Sequence, residues 1–148
     1  MQKNNLKFIF LSLLVASLMH ALSYGKDLAF EVVATGLVSD LKAGATYTLK
    51  NDNELAILGR FHGQGNFPGI DFQKYMLVGI FIGQRPSSEF SVRVKSVDES
   101  DDVVKVVYLE DRGRTDKYPP VYPPMVTDPF VFIKMKKTDK IVIFEKYD

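Results

Sequence analysis

The chain has 148 residues, 46% of them apolar and 25% charged, a formal net charge of +1 and no cysteine. That length and balance argue for one globular domain and against disorder, and the near-neutral charge gives no reason to expect nucleic acid or an anionic membrane as partner. The missing cysteines rule out disulfides, a thiolate metal site and a bacterial lipid anchor.

Lys3 and Lys7 form a short basic head, and an apolar run follows from Phe8 to Met19. About a dozen apolar residues fall short of the ~20 that span a bilayer. A basic head before such a run is the pattern of a cleavable signal peptide. Ser23-Tyr24-Gly25 suits cleavage after Gly25, with Ala21 as the second choice. Residues 1–25 are therefore expected to be removed. Residues 26–148 are expected to form a single exported β domain, periplasmic or extracellular, with no stable membrane anchor. Without Lys3 and Lys7 the remainder carries 17 basic against 18 acidic residues. Lacking disulfides, such a domain relies on its core, which at this size buries roughly two-thirds of the unfolded surface.

Alternation dominates the rest. Leu28 to Ala34 is rich in β-formers and ends at Thr35-Gly36, and Ala45 to Lys50 offers a second short strand. Asn51-Asp52-Asn53-Glu54 reads as a helix entrance, with Asn51 or Asp52 as cap and Glu54 at the positive end of the dipole. Leu55, Leu58 and Phe61 then recur at helical spacing, which predicts a helix over about 52–62. Gly63 to Gly69 is a loop without the Gly-Lys-Ser/Thr ending that cradles phosphate.

Tyr75 to Ile82 is apolar on both parities, as in a central strand buried on both faces. Gly83 to Ser88 reads as a tight hairpin connection. Glu89 to Val97 alternates, with Phe90, Val92, Val94 and, after a slip, Val97 pointing inward. Asp98 to Asp102 turns the chain and Val103 to Leu109 returns, completing a hairpin. A long loop is expected from Glu110 to Pro124, holding four of the seven prolines. Phe130 to Lys136 and Lys140 to Glu145 supply two last strands. The sum is a mainly β domain: a small antiparallel β-sandwich or partly open barrel of about seven strands with one short helix.

No catalytic constellation emerges, so no enzyme, cofactor or metal is expected. Of the two histidines, His20 leaves with the signal peptide and His62 sits near the predicted helix end, where it complements the dipole. A triad through Ser87 or Ser88 and His62 lacks any local signature such as Gly-x-Ser-x-Gly. The acidic group Asp98, Glu99, Asp101 and Asp102 lacks the glycine and the distant Glu of an EF-hand loop, and reads as a solvated turn.

Two loops hold residues that a plain connection does not need. Tyr118, Tyr122 and Met125 stand among prolines, which lower the cost of ordering, while tyrosine gives amphipathic contact area. This loop either docks on another protein or caps the sandwich with its own rings. The second loop is Arg85-Pro86-Ser87-Ser88-Glu89-Phe90.

The order Asp71-Phe72, an apolar strand, Gly83-x-Arg85-Pro86 and then an aromatic resembles the C-terminal domain of PrcB-type protease complex subunits. Val126-Thr127-Asp128-Pro129-Phe130-Val131-Phe132-Ile133 is similar to that family's closing Thr, Pro and aromatic pattern. The family's usual turn is Arg/Lys-Pro-Thr-Gly-Gly-Tyr, and here Ser87, Ser88 and Glu89 replace its Thr-Gly-Gly. The resemblance implies an exported, non-catalytic accessory of a surface protease complex, whose partner is another exported protein such as a protease. The same turn is similar to a loop of chagasin-like cysteine-protease inhibitors, which makes inhibition an alternative; a small-ligand binder using the β interior is another. Arg85, Pro86, Ser87, Ser88, Phe90, Tyr118, Tyr122 and Met125 are the candidate partner-binding residues.

Overall fold

The computed structural model describes residues 25–59, 67, 69–113 and 125–148. Its strands are β1 (Lys26–Asp27), β2 (Phe30–Gly36), β3 (Ala45–Leu49), β4 (Tyr75–Phe81), β5 (Phe90–Glu99), β6 (Val103–Arg112), β7 (Phe130–Lys136) and β8 (Ile141–Lys146). A helix, α1 (Asp52–Gly59), follows β3. The first sheet runs β1-β5-β6-β8 and the second β2-β7-β4-β3, so the domain is a sandwich of two open sheets rather than a barrel.

The two-faced sequence of β4 explains the layering. Met76, Val78 and Ile80 point toward the first sheet and join Val97, Val104, Val106, Val131 and Ile133 in the core between the sheets. Leu77 and Phe81 point the other way, where they meet Phe72, Phe130, Phe132 and Leu58 of α1. The second sheet is thus covered on both faces, and a strand in that position has no polar side to alternate with. Fully burying a side chain of this kind contributes roughly 1.5–3 kcal/mol. Gly79 sits opposite Phe132 in the β4–β7 ladder. A Cβ there would stand 2.6 Å from the Phe132 ring, so the bare backbone is what leaves room for the ring.

Helix α1 starts as its sequence suggests. Asn51 Oδ1 accepts from Glu54 N–H (2.9 Å), while Glu54 reaches back to accept from Lys50 N–H (2.6 Å). Asn51, rather than Asp52, is the cap, and Glu54 satisfies a free N–H besides complementing the dipole. Residues 60–62 of the expected helix, His62 included, lie outside the described residues. So do residues 1–24, where the signal peptide is expected.

The slip in β5 is a bulge. Val94 pairs with Tyr108 and Ser96 with Val107, which leaves Lys95 without an opposite residue. Val92 and Val97 are buried as a result, and Val94 packs against the same core. Phe90, at the end of this face, is half-buried and lies against the Arg112 guanidinium instead of in the core.

Four expectations are corrected. Strand β6 continues through Glu110 and Asp111 to Arg112, because these charged residues find partners across the ladder and beyond it. The β5–β6 turn is tighter than expected, since Asp98 and Glu99 still belong to β5 and Ser100 N–H closes on Val103 O at 2.8 Å. The segment after β4 is not a hairpin turn, because β4 and β5 lie in different sheets. Finally, the sandwich is not wholly antiparallel: β8 leaves β7, crosses to the first sheet and pairs parallel with β6. Among the described residues no helix is long and apolar enough to cross a membrane.

Candidate functional site

Three chain segments converge at one end of the sandwich: the exit of β2, the crossover from β4 to β5, and the approach to β7. Gly83 makes the crossover possible. Its φ is +74°, and a Cβ there would stand 2.7 Å from Gly44 N, so the chain turns left-handed directly against residues 42–44. Gln84 N–H then donates to Lys42 O at 3.0 Å.

Arg85 follows and is held twice. Its backbone forms an antiparallel bridge with Thr127, at 2.7 Å and 3.0 Å. Its guanidinium reaches across to the first sheet, where Nε and Nη2 donate to the two oxygens of Glu110 at 2.5 Å and 2.9 Å. Nη1 donates to Gln84 O. The pair is mostly withdrawn from water, with side-chain exposures of 26% and 15%. Lys146 Nζ adds a third member at 3.1 Å from Glu110. The guanidinium hydrogen bonds, with help from Lys146, hold the Glu110 carboxyl at about 2, against the partial burial that opposes them.

Thr127 is fully buried, and its hydroxyl donates to Ser87 O at 2.9 Å. The backbone N–H of Glu89 donates to Ser87 Oγ, while the Glu89 carboxylate accepts from Arg112 at 2.8 Å. Pro86 is exposed and Ser88 half-buried on the same turn. The structure therefore brings Arg85, Pro86, Ser87, Ser88 and Phe90 to the end of the molecule where Met125 also stands. Tyr118 and Tyr122 lie outside the described residues.

Beside this clasp the surface is apolar. Leu37, Val38, Met125 and Val126 are 36–60% exposed. Their segments are joined by a hydrogen bond from Asp128 N–H to Leu37 O at 2.8 Å, which prolongs the β2–β7 ladder past Gly36↔Phe130. Asp40, with φ 57°, then turns the chain away behind the buried Ser39.

A cavity of about 360 Å³ opens at the seam between the sheets, lined by Thr46, Phe81, Arg85, Tyr108, Glu110 and Lys146 among others. The acidic turn is at the opposite end. There Asp98 accepts from Ser96 and borders a second cavity of about 430 Å³, while Glu99 pairs with Lys140 at 3.0 Å. Among the described residues no three His, Cys, Asp or Glu side chains gather as a metal site would require.

Sequence reasoning singled out the two loops but not what joins them. Glu110 opens the expected loop of Glu110 to Pro124, whose sequence gives no sign that a strand runs into it. Leu37 and Val38 lie just past the expected strand end at Thr35-Gly36, with no local mark of their exposure. The available signal was Thr127, which stood in the Thr-Asp-Pro string before β7 without a stated partner. Comparison of the chain with protein-family models, with curated proteins and with solved structures finds no match.

Proposed function

We propose that this chain is an exported, non-enzymatic binding module that docks through the clasped end of its sandwich onto another exported protein, with a protease as the first candidate. The observation that carries the reading is the group Leu37, Val38, Met125 and Val126, exposed on two segments that the Asp128–Leu37 hydrogen bond joins and of which the second is also anchored by the Arg85–Thr127 bridge. Apolar side chains on a pre-ordered backbone suit a partner surface, because little entropy is lost when they are covered. Export rests on the basic head and short apolar run at the N-terminus. The choice of a protease rests on the resemblance of Gly83-x-Arg85-Pro86 and of the Thr127-Asp128-Pro129 string to PrcB-type subunits.

The test is site-specific photo-crosslinking in the exported fraction. A crosslinking residue at Val126 should yield one discrete adduct that is lost when Val38→Asp is added. The same residue at Ile57, an exposed position on α1, should yield none. Equal labelling at both positions, or none at Val126, removes the proposed surface. An adduct whose captured protein has no peptidase activity removes the protease.

A further inference from the structure

The cavity at the seam of the sheets carries more cation than its own residues neutralise. Arg85 and Lys146 both converge on Glu110, and all three line the cavity. Two positive charges therefore face one negative charge. Guanidinium has five N–H donors and ammonium three. Arg85 uses three of its own, on Glu110 and Gln84 O, and Lys146 uses one on Glu110. Among the described residues this leaves four donors and a net charge of +1 at the cavity. The rest of the lining is Gly44, Ala45, Thr46, Phe81, Ile82 and Tyr108, of which Ile82 and Tyr108 belong to the apolar core between the sheets.

We propose that this cavity binds a carboxylate monoanion with an apolar body, its carboxylate shared between Arg85 and Lys146 and its body against Ile82 and Tyr108. A single negative charge brings the cluster to neutrality, whereas a phosphate dianion overshoots it and faces the Glu110 carboxylate as well. With its carboxyl held at about 2, Glu110 is ionised throughout the physiological range. The volume of about 360 Å³ lies in the range of small-molecule sites. The same chemistry has two sources, a free organic acid or the C-terminal carboxylate of a peptide. The second is admitted by the backbone of Gly44 to Thr46, which borders the cavity where β3 pairs with β4 alone among the described residues. The site shares Arg85 with the clasped end, but its lining includes none of Leu37, Val38, Met125 and Val126, so either reading can fail without the other.

Two-dimensional amide NMR of the domain titrated with phenylpropionate, with N-acetyl-Ala-Phe and with the amide of that dipeptide reads the proposal. Saturable shifts are expected at Thr46, Tyr108, Glu110 and Lys146 with at least one of the acids, at a sub-millimolar Kd, and the amide should bind at least about tenfold more weakly. Shifts that extend along β3 with the dipeptide acid assign a chain terminus, and shifts with phenylpropionate alone assign a free acid. Lys146 is half-exposed and away from the core, so Lys146→Gln keeps the fold and should weaken binding about fivefold or more. Glu110→Gln adds a net positive charge to the site and should tighten it. Non-saturating shifts at 20-fold ligand excess, equal binding of acid and amide, or unchanged affinity in Lys146→Gln would each overturn the proposal.

Discussion

Gly83 and Glu110 show how single residues at the clasped end are constrained by distant parts of the chain. Any side chain at position 83 meets both a left-handed φ of +74° and the backbone of residues 42–44, at 2.7 Å from Gly44 N. Gly83→Ala should therefore destabilise the domain by on the order of 2–4 kcal/mol, measured by urea denaturation; a cost below about 0.5 kcal/mol would show that the crossover does not need this geometry. Glu110 makes a pH prediction. Its folded pKa of about 2 lies below the ordinary 4.5, so the unfolded chain takes up the proton first as the solution is acidified. The stabilisation is fully present above pH 5 and is lost as pH falls from about 4.5 toward 2. Each tenfold in acidity is worth about 1.4 kcal/mol, which puts the whole effect on the order of 3 kcal/mol. The Asp71 carboxyl is lowered as well, first by its hydrogen bond to Lys74. The quantity to measure is therefore the difference in acid slope between wild type and Glu110→Gln, and equal slopes would refute the assignment. The string Gly83-x-Arg85-Pro86 stood out in the sequence. Its reasons did not, because Gly44, Glu110 and Thr127 are each brought to it only by the fold.

Strand β5 gives the sharpest case at the scale of an element. Inward positions at Phe90, Val92 and Val94, followed by Val97, break a strict period of two, and that break is enough to locate a bulge from sequence. Lys95 is the extra residue. Removing it leaves Val94 inward, Ser96 outward and Val97 inward, a regular ladder with the same buried set. Deletion of Lys95 should accordingly keep the fold and cost about 1 kcal/mol, in part from the loss of the Lys95–Tyr147 cation–π contact. Deletion of Lys105 from the unbulged β6 should be far worse, because a one-residue shift moves either Val104 or Val106 to the wrong face. Thermal melts of the two deletions decide this, and equal destabilisation would contradict the bulge reading. Strand positions and helix entrance were legible because each is written in local side-chain order. The extension of β6 to Arg112 was not, since Glu110, Asp111 and Arg112 resemble a loop until Arg85, Arg93 and Glu89 are placed beside them.

At the scale of the whole molecule, what escaped the sequence is which strand neighbours which. Alternation tells a strand which face to bury but carries no mark of its partner, so the parallel pairing of β8 with β6 and the crossover after β4 had no local signature. Those crossings create the need for a clasp. The turn after Gly83 leaves the second sheet while Glu110 belongs to the first, and the Arg85–Glu110 pair ties the two across the seam. If the pair acts as a unit between sheets, a double-mutant cycle should show it. Arg85→Met strands a carboxylate that is only 15% exposed, with Lys146 as its remaining partner. Glu110→Leu strands two cations. Each single change should cost about 2–4 kcal/mol, and the double change should fall short of their sum by about 1–3 kcal/mol, because it leaves fewer buried charges unmatched. Lys146→Gln, at a half-exposed position, should cost less than about 1 kcal/mol. Hydrogen exchange separates a seam effect from general loosening. In Arg85→Met the bridging amides of Arg85 and Thr127 should exchange faster, while Ser100 N–H at the far turn, held by Val103 O, should lose no more protection than the global stability change requires. Additive costs within about 0.5 kcal/mol, or equal acceleration at both ends, would mean that the sheets are joined by their apolar core alone and that the charged trio only decorates the seam.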